Sequence, residues 1–302
     1  MNDMKEYLKE ILKEFNYPQE CGSLLLDCYD AIEADEQKRH TLNAALAAYK
    51  NDKNVSYFVL EEHVKKICES FPFHEYTVWL LTYLLMTSRL RELYEQKGIP
   101  LSIWRDSIND LRIKTDECWE LHGIYGTFVA SWFPGFFRLK RFALGRLQYE
   151  YSKFQNEEFI CSDGSVLKKG DRVLAVHIPR SEQPLSKENC DSSYEAAAKF
   201  FAGDFQSEKV VFTCSSWMLY PKNSEILHAK SNVRRFGEEY ELVSVTHNAE
   251  NEHPDAWRIF GVEPKGGIAS LPEDSFLQRA YKSYMLDGGI TGRAYGVKLQ
   301  KK

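Results

Sequence analysis

The hydrophobic residues of this chain follow one spacing up to about residue 130 and a different spacing after about residue 138. In the first part they recur every three to four residues, as on one face of a helix. In the second part, short apolar runs alternate with polar residues and are bounded by glycine, proline and asparagine, as in strands joined by turns. The sequence therefore predicts a helical half followed by a half that contains a β-sheet.

The first half consists of consecutive amphipathic segments. The first segment has its apolar residues at helical spacing at Met4, Tyr7, Leu8, Ile11, Leu12 and Phe15. A second helix is predicted after Pro18, a third in TLNAALAAYK, a fourth in FVLEEHVKKICESF, and a fifth that ends at Gly98. One or two more are expected in SIWRDSINDLRIKTDECWELHG. No strand pattern interrupts them, which favours a helical bundle over residues 1–130.

The second half, residues 131–302, predicts the order β-β-β-α-β-α-β-β-α-β. The predicted strands are FALGRLQYEYSKF, EEFICSDGS, VLAVHI, VVFTCSSWML, NVRRFGEEYELVSV, WRIFGV and ITGRAYGVKL. The first two are expected to form a hairpin that turns at Asp163-Gly164. The predicted helices are SSYEAAAKFFA, NSEILHA and SLPEDSFLQRAYKSYMLDGG, of which the first and last have capping-box spacing at Ser192 and Glu195 and at Ser270 and Glu273. The fold class is α+β, a helical bundle followed by a mixed sheet with flanking helices. The aromatic stretch 126–142 between the halves predicts an interdomain packing surface or a ligand wall.

Composition excludes several classes of function. The 302 residues suffice for two domains, and the net charge of −5 gives no basic excess for nucleic acid. The longest apolar run, near YTVWLLTYLLM, is shorter than the roughly 20 residues that span a bilayer, so no membrane insertion is expected. The seven cysteines include no C-x-x-C pair, which argues against a disulfide framework or a zinc ribbon. The charged amphipathic N-terminus is unlike a signal peptide, and a cytoplasmic protein is expected.

Several local phrases carry a resemblance to a known family. They are GRLQYE (145–150), VHIPRSEQPLS (176–186), SYEAAAKFF (193–201), CSSWMLYP (214–221), SNVRRF (231–236) and LQRAYKSYMLDGG (277–289). As a set they resemble a bacterial family that joins an N-terminal helical acyltransferase domain to a C-terminal domain like that of GNAT acetyltransferases. The resemblance covers essentially the whole chain. It implies a GNAT-like mixed sheet and transfer of an acyl group from a thioester donor, such as acyl-CoA, to a small-molecule amine or hydroxyl acceptor.

The loop that holds the phosphates of coenzyme A in typical acetyltransferases is different here. Those enzymes place an Arg/Gln-x-x-Gly-x-Gly/Ala sequence between the fourth strand and the next helix. The corresponding interval in this chain, PRSEQPLSKENCD, has no glycine. A backbone without glycine approaches a pyrophosphate less easily. Either coenzyme A is not the donor, or other groups hold its phosphates.

His177 is the strongest candidate for chemistry in the sequence. It follows the apolar run VLAV directly, and an unperturbed histidine titrates near neutral pH, as a general base requires. The resemblance places this strand end beside the acyl thioester and implies His177 as base, with Tyr220 as the acid that protonates the leaving thiolate. The alternative is a structural histidine at the end of a core strand, which sequence alone does not exclude.

The candidate binding residues are spread over the phrases that carry the resemblance. Those predicted to contact substrate or cofactor are Arg146, Gln148, Arg180, Ser192, Ser215, Ser216, Trp217, Asn232, Arg234, Gln278 and Arg279. Strand alternation predicts that Arg234 and Arg235 point to opposite faces, so that one of them reaches inward. His247 and His253 lie in a polar stretch whose spacing fits no known metal site, and no metal is expected.

Two other functions remain open at this point. The missing glycine loop is compatible with a degenerate acetyltransferase fold that binds a small ligand or a partner without catalysis. A hydrolase would use Cys214 or Ser215 as nucleophile. Cys214 lies inside a strand pattern, where a buried thiol behaves as a small hydrophobic residue and lacks an identified base.

Overall fold

The computed structural model describes residues 2–302, so that Met1, the first residue of the predicted N-terminal helix, lies outside the described residues. The chain divides into two compact units, the first ending at Phe142 and the second spanning Ala143–Lys302. The first is helical and the second contains a mixed sheet with flanking helices, which confirms the predicted α+β class. The domain boundary predicted at residues 130/131 stays a prediction.

The first unit is built around one buried helix. Its helices are α1 Asn2–Glu14, α2 Gln19–Ala34, α3 Glu36–Asn51, α4 Tyr57–Cys68, α5 Glu75–Gln96, α6 Leu101–His122 and α7 Pro134–Phe137. Helix α5 is buried along most of its length and packs against α1, α2, α3, α4 and α6. The stretch from Thr77 to Thr87 is buried on every side, and such a stretch is stable only when neighbours surround it, so α5 is the axis of this bundle. The segment SIWRDSINDLRIKTDECWELHG lies in the single helix α6, which ends at Gly123 in the left-handed conformation.

Aromatic side chains after α6 belong to the core of the same unit. Phe133, Phe136 and Phe137 are buried, and the Tyr83 ring stacks on Phe137 with a centroid distance of 5.0 Å. The Tyr83 hydroxyl donates a hydrogen bond of 2.8 Å to the carbonyl oxygen of Ala130. These contacts bury part of the 126–142 stretch within the bundle. Its role as an interdomain surface or a ligand wall stays a prediction.

The second unit is organised by a six-stranded sheet with the order β1-β2-β5-β6-β8-β7, whose edge strand β1 spans the division at Phe142 and Ala143. The strands are β1 Arg141–Leu144, β2 Leu147–Lys153, β3 Glu158–Ile160, β4 Val166–Lys168, β5 Arg172–His177, β6 Lys209–Ser216, β7 Glu241–His247 and β8 Gly292–Lys301. Strands β5 and β6 run parallel in the middle of the sheet, with antiparallel neighbours on both sides. The helix α8 Lys187–Phe200 connects them, as a parallel pair requires.

The two sides of the sheet differ in burial at the ends of the central strands β5 and β6. Residues in strands alternate between faces, so Val176, Cys214 and Tyr149 point to one side, which we call the α8 face. There Tyr194 of α8 packs against Phe212, and all of these side chains are buried. Ala175, His177 and Ser215 point to the other side, which we call the open face, and they are half-buried or exposed.

Two predicted strands contain helices. NVRRFGEEYELVSV forms the helix α10 Asn232–Glu238 before the strand β7, and WRIFGV forms most of the helix α11 Ala256–Phe260. In α11 the buried residues Ala256, Ile259 and Phe260 have helical spacing. Segments this short fit either period, and burial against neighbouring elements decides between them. The shorter helix α9 Asn223–Ile226 agrees with the prediction from NSEILHA.

The prediction for the early strands is wrong in two respects. FALGRLQYEYSKF is predicted as one strand and forms two, β1 and β2, separated by a turn at Gly145-Arg146. The turn at Asp163-Gly164 is present, but β3 pairs with β4 in a separate two-stranded sheet instead of pairing with β2. Gly164 has φ of 83°, which suits the turn because glycine has no Cβ.

Both predicted capping boxes are displaced. Helix α8 begins at Lys187, where the Ser186 side chain accepts a hydrogen bond from the Asn189 amide, so Ser192 lies inside the helix. The last helix, α12 Phe276–Leu286, has its capping box at Ser275 and Gln278. Pro272 separates this helix from Ser270, because a proline does not continue a preceding helical turn.

Candidate functional site

The parallel strands β5 and β6 separate before they end. Among residues 2–302, the ladder between them consists of the pairs Leu174↔Phe212 and Ala175↔Thr213. Beyond these pairs β5 continues to His177 beside β2, and β6 continues to Ser216 beside β8. The two strand ends are therefore held by their outer neighbours and leave a gap between them. Backbone groups that face such a gap can bond to an inserted ligand as an added strand would.

His177 lies at the end of β5, on the open face beside this gap. Its Nε2 is 3.0 Å from Oε2 of Glu150 on the neighbouring strand β2. Both side chains are about one quarter exposed. A carboxylate that accepts from Nε2–H fixes the ring tautomer and makes Nδ1 the basic nitrogen. The same carboxylate would stabilise the imidazolium formed when Nδ1 takes a proton.

The register aligns further polar side chains with His177 on the open face. Gln148 lies directly opposite His177 across β2 and β5, and it is 2% exposed. Ser215, on the other side of the gap, is exposed and lies opposite Tyr295 of β8. Two of the predicted residues, Gln148 and Ser215, are thus brought to the same face as His177.

Arg146 is a buried cation close to the loop that follows β5. It occupies the turn between β1 and β2, it is 7% exposed, and its Nη1 donates a hydrogen bond of 2.9 Å to the Pro179 carbonyl oxygen. Its buried Nε has no hydrogen-bond partner among the described residues. Burial lowers the pKa of Arg146 from its usual value because the charged form is desolvated. A buried guanidinium with an unmet donor is suited to an anionic ligand.

The loop after β5 and the helix α8 contain the predicted binding residues Arg180 and Ser192. Arg180 is exposed in the loop, and the exposed Lys187 forms an ion pair with Asp191 at 2.7 Å. The free amides at the start of α8 belong to the first turn at Lys187, because the N-cap is Ser186, six residues before the predicted cap Ser192. Glu188 and Asp191 lie in the same turns and reduce the positive field there.

Tyr220 lies on the opposite side of the sheet from His177. Its ring contacts Gly292, which points to the α8 face of β8, and its hydroxyl is 2.8 Å from His247 Nδ1 and 3.1 Å from the Ile290 carbonyl oxygen. Burial raises the pKa of Tyr220. The structure does not bring the two predicted catalytic residues together, and the acid role of Tyr220 stays a prediction.

The residues that follow β6 have structural contacts. Ser216 accepts a hydrogen bond from the Met218 amide and so caps a short 3-10 turn, Trp217–Leu219. Trp217 is 6% exposed and packs edge-on against Tyr281 in an apolar cluster. Of the phrase CSSWMLYP, Ser215 is the side chain that reaches the open face.

Four predicted binding residues lie on helices with local partners of their own or at an exposed helix start. Arg234 donates hydrogen bonds to the Glu238 carboxylate and to the carbonyl oxygens of Ser224 and Leu227. The strand alternation predicted for Arg234 and Arg235 does not apply, because this segment forms the helix α10. Asn232 is exposed at the start of α10. Gln278 completes the α12 capping box, and Arg279 donates a hydrogen bond to the Glu273 carbonyl oxygen. Their predicted binding roles stay predictions.

Cys214 lies on the α8 face and is buried. Burial raises the pKa of its thiol to about 12, which keeps it protonated at neutral pH. A nucleophile would need the thiolate. Among residues 2–302, no group of three His, Cys, Asp or Glu side chains converges as metal ligands, and no helix combines the length and hydropathy of a bilayer-spanning segment.

Two residues of the open face were missed at the sequence level. Neither Glu150, the partner of His177, nor Tyr295 is among the predicted site residues. Both derive their position from strand pairing between distant segments, which a single sequence does not display. The alternation of the polar residues Arg146, Gln148 and Glu150 in the sequence is the pattern that could have indicated Glu150 as a residue of the site.

Comparisons with known proteins agree with this architecture. Residues 6–139 match the family model of the N-acyltransferase N-terminal domain, and residues 141–298 match that of the GNAT-like C-terminal domain. A crystal structure of an acyltransferase in complex with decanoyl-CoA is similar, with a TM-score of 0.73, 19% identity, and coverage of 96% of this chain and 86% of that one.

Two further acyltransferase crystal structures are similar to a comparable degree. A mutant in complex with octanoyl-CoA has a TM-score of 0.71 and 18% identity, covering 97% of this chain and 87% of that one. A complex with decanoyl-CoA and teicoplanin has a TM-score of 0.70 and 19% identity, covering 96% of this chain and 87% of that one. No curated protein matches this chain in sequence.

Proposed function

Because the chain belongs to the family that joins an N-acyltransferase N-terminal domain to a GNAT-like C-terminal domain, we propose that it transfers an acyl group from acyl-CoA to an amine or hydroxyl of a small molecule. The observation that carries the proposal is the gap between β5 and β6, which opens beside the His177–Glu150 pair. The acyltransferases of similar fold were crystallised with octanoyl-CoA or decanoyl-CoA, and one also with teicoplanin. These complexes support the class of donor and the use of a small-molecule acceptor.

The pantetheine arm of the donor would enter the gap as an additional strand. Its amide groups can pair with backbone groups of β5 and β6 that the sheet leaves without ladder partners. This insertion would bring the thioester to the level of His177 and Ser215. Backbone N–H groups at the gap are candidates to stabilise the negative charge on the thioester oxygen during attack.

His177 would act on the acceptor. The acceptor nitrogen or oxygen forms a bond to the thioester carbonyl carbon while His177 Nδ1 takes its proton, and Glu150 stabilises the resulting imidazolium. The carbon–sulfur bond then breaks, and the imidazolium can return the proton to the leaving thiolate. His177 thus takes one proton from the acceptor and gives one proton to the thiolate, so the mechanism does not require Tyr220 as the acid.

Arg146 and the first turn of α8 would hold the phosphates of the donor. Arg146 supplies a buried cation with an unmet donor, and α8 supplies free amides at its N-terminus. This arrangement would take over the task of the glycine-rich loop, which the chain lacks. The acidic residues Glu188 and Asp191 in the same turns oppose it, so the affinity for phosphate would depend on Arg146.

The experiment is a comparison of thiol release from acetyl-CoA and longer acyl-CoA donors, with hydroxylamine as a small acceptor. The His177→Ala variant should lose about 100-fold or more in turnover, the usual contribution of a general base. The matched control is His40→Ala, because His40 is exposed on α3 and lies outside the site. Equal turnover in both variants would remove His177 from the mechanism. Donor binding without turnover in the unaltered protein would favour the alternative of a binding protein without catalysis.

A further inference from the structure

The α8 face has no space for an acyl chain at the level of the gap. Val176, Cys214 and Tyr194 are 3%, 2% and 1% exposed, and they fill this side of the sheet. Close-packed interiors do not accept additional carbon atoms without displacement of side chains. A thioester held between β5 and β6 would therefore direct its acyl carbons onto the open face.

On β5 and β6, the floor of the open face below the thioester is made of small side chains, and Glu150 of β2 borders it. Ala175 and Thr213 lie opposite each other on β5 and β6, one row below His177 and Ser215. Rows on the same face are two residues apart, which corresponds to roughly 7 Å along the strands. Ala175 remains half-buried, so the floor is accessible at this point.

Tyr295 borders this floor on β8. It lies opposite Ser215 and points to the same face, and its side chain packs against the buried cluster that contains Val173 and Val211, at the lower end of the floor. Thr213 beside it is 2% exposed. Behind it, the Phe154 ring lies with its centroid 6.1 Å from that of Tyr295, in an apolar cluster that continues the core.

We propose that the Tyr295 ring closes the end of this floor and limits the acyl group of the donor to a short chain. The inference rests on the proposed acyl transfer and adds to it the substrate class, a short-chain acyl thioester. The contact with Phe154 orients the ring, and the ring provides the barrier. Loss of the ring would extend the floor towards Phe154.

The test measures kcat/KM for acetyl-, butyryl-, octanoyl- and decanoyl-CoA in the full-length protein and in variants. In Tyr295→Ala the ratio of decanoyl to acetyl turnover should rise by roughly tenfold or more, since one methylene in an apolar pocket already changes selectivity by about that factor. Tyr295→Phe is the matched control, because it keeps the ring and should keep the ratio within about threefold. Ala175→Val narrows the floor and should lower butyryl turnover more than acetyl turnover.

The outcomes separate the inference from the proposed function. A rise in the ratio for Tyr295→Ala with little change for Tyr295→Phe supports the inference. Turnover of all donors reduced by one common factor in Tyr295→Ala would overturn it and leave the acyl transfer standing. Absence of turnover with every donor in the unaltered protein would overturn both. Should Tyr295→Ala fail to fold by circular dichroism, the butyryl-to-acetyl ratio of Ala175→Val decides, and an unchanged ratio would overturn the inference.

Discussion

Replacement of Arg146 by methionine should change the binding of coenzyme A while it leaves the free energy of unfolding almost unaltered. The variant loses one charge-assisted hydrogen bond, from Nη1 to the Pro179 carbonyl oxygen at 2.9 Å, which contributes about 1.5–3 kcal/mol. It also removes a buried Nε without a partner, whose desolvation costs about 1–3 kcal/mol. The two effects nearly cancel, and methionine keeps the apolar contacts of the side chain. We expect Arg146→Met to change the free energy of unfolding by no more than about 1 kcal/mol.

The same change should weaken the binding of coenzyme A. A charged hydrogen bond to a phosphate is worth about 1.5–3 kcal/mol, which corresponds to a rise in Kd of about 10- to 150-fold. Binding of S-acetylpantetheine, which lacks the phosphates, should not change.

The assays are urea unfolding of the free protein and calorimetric titration with both ligands. The matched control is Arg172→Met at the opposite end of β5, where Arg172 is exposed and bonds to the Asp204 carbonyl oxygen. That variant should leave both affinities unchanged. Destabilisation of Arg146→Met by more than about 3 kcal/mol with an unaltered Kd for coenzyme A would show that the arginine is structural and refute the reasoning.

Three further predictions follow from single contacts. Glu150→Gln removes the charge that stabilises the imidazolium, so donor turnover should fall by at least about tenfold with KM little changed; an unchanged kcat would contradict the role of Glu150. Gly292→Ala would place a Cβ 2.4 Å from the Thr246 carbonyl oxygen and 2.6 Å from the Tyr220 ring. Urea titrations should show a free energy of unfolding that is lower by about 1–3 kcal/mol. Gly203→Ala, which has open space at the Cβ position, should leave the free energy of unfolding nearly unchanged. The thiol of Cys214, whose pKa burial raises to about 12, should resist iodoacetamide at pH 8 in the native protein and react after unfolding; native labelling at the rate of a free thiol would contradict its burial.

Strongly apolar segments made the centre of the sheet predictable from sequence. VLAVHI and VVFTCS form most of β5 and β6, and both are short runs rich in β-branched residues, which favours a strand over a helix. The intervening amphipathic stretch formed α8, although its start at Lys187 was missed because two serines, Ser186 and Ser192, are both acceptable caps. In the helical half, periodicity over long segments left little ambiguity.

The parts that sequence did not reveal depend on contacts between distant residues. Helix α11 is five residues long, a length at which the helical and strand periods cannot be distinguished. The partner of His177 follows from the register of β2 against β5, which pairs residues 27 positions apart. Tyr295 lies opposite Ser215 only because β8 returns beside β6. Tyr220 was expected near His177 from the family resemblance, and its place on the α8 face follows from Gly292, whose lack of a side chain admits the ring.

The binding of acyl-CoA tests the central claim most directly. A thermal-shift titration of the protein with coenzyme A, acetyl-CoA and octanoyl-CoA measures it without knowledge of the acceptor. A ligand that binds only the folded state stabilises it by about 2.7 kcal/mol at a hundredfold excess over Kd. The account predicts a concentration-dependent rise in Tm with acetyl-CoA and a smaller rise when Arg146 is replaced by methionine. Absence of any rise with all three ligands, up to millimolar concentration, would contradict the claim that the gap between β5 and β6 is a donor site.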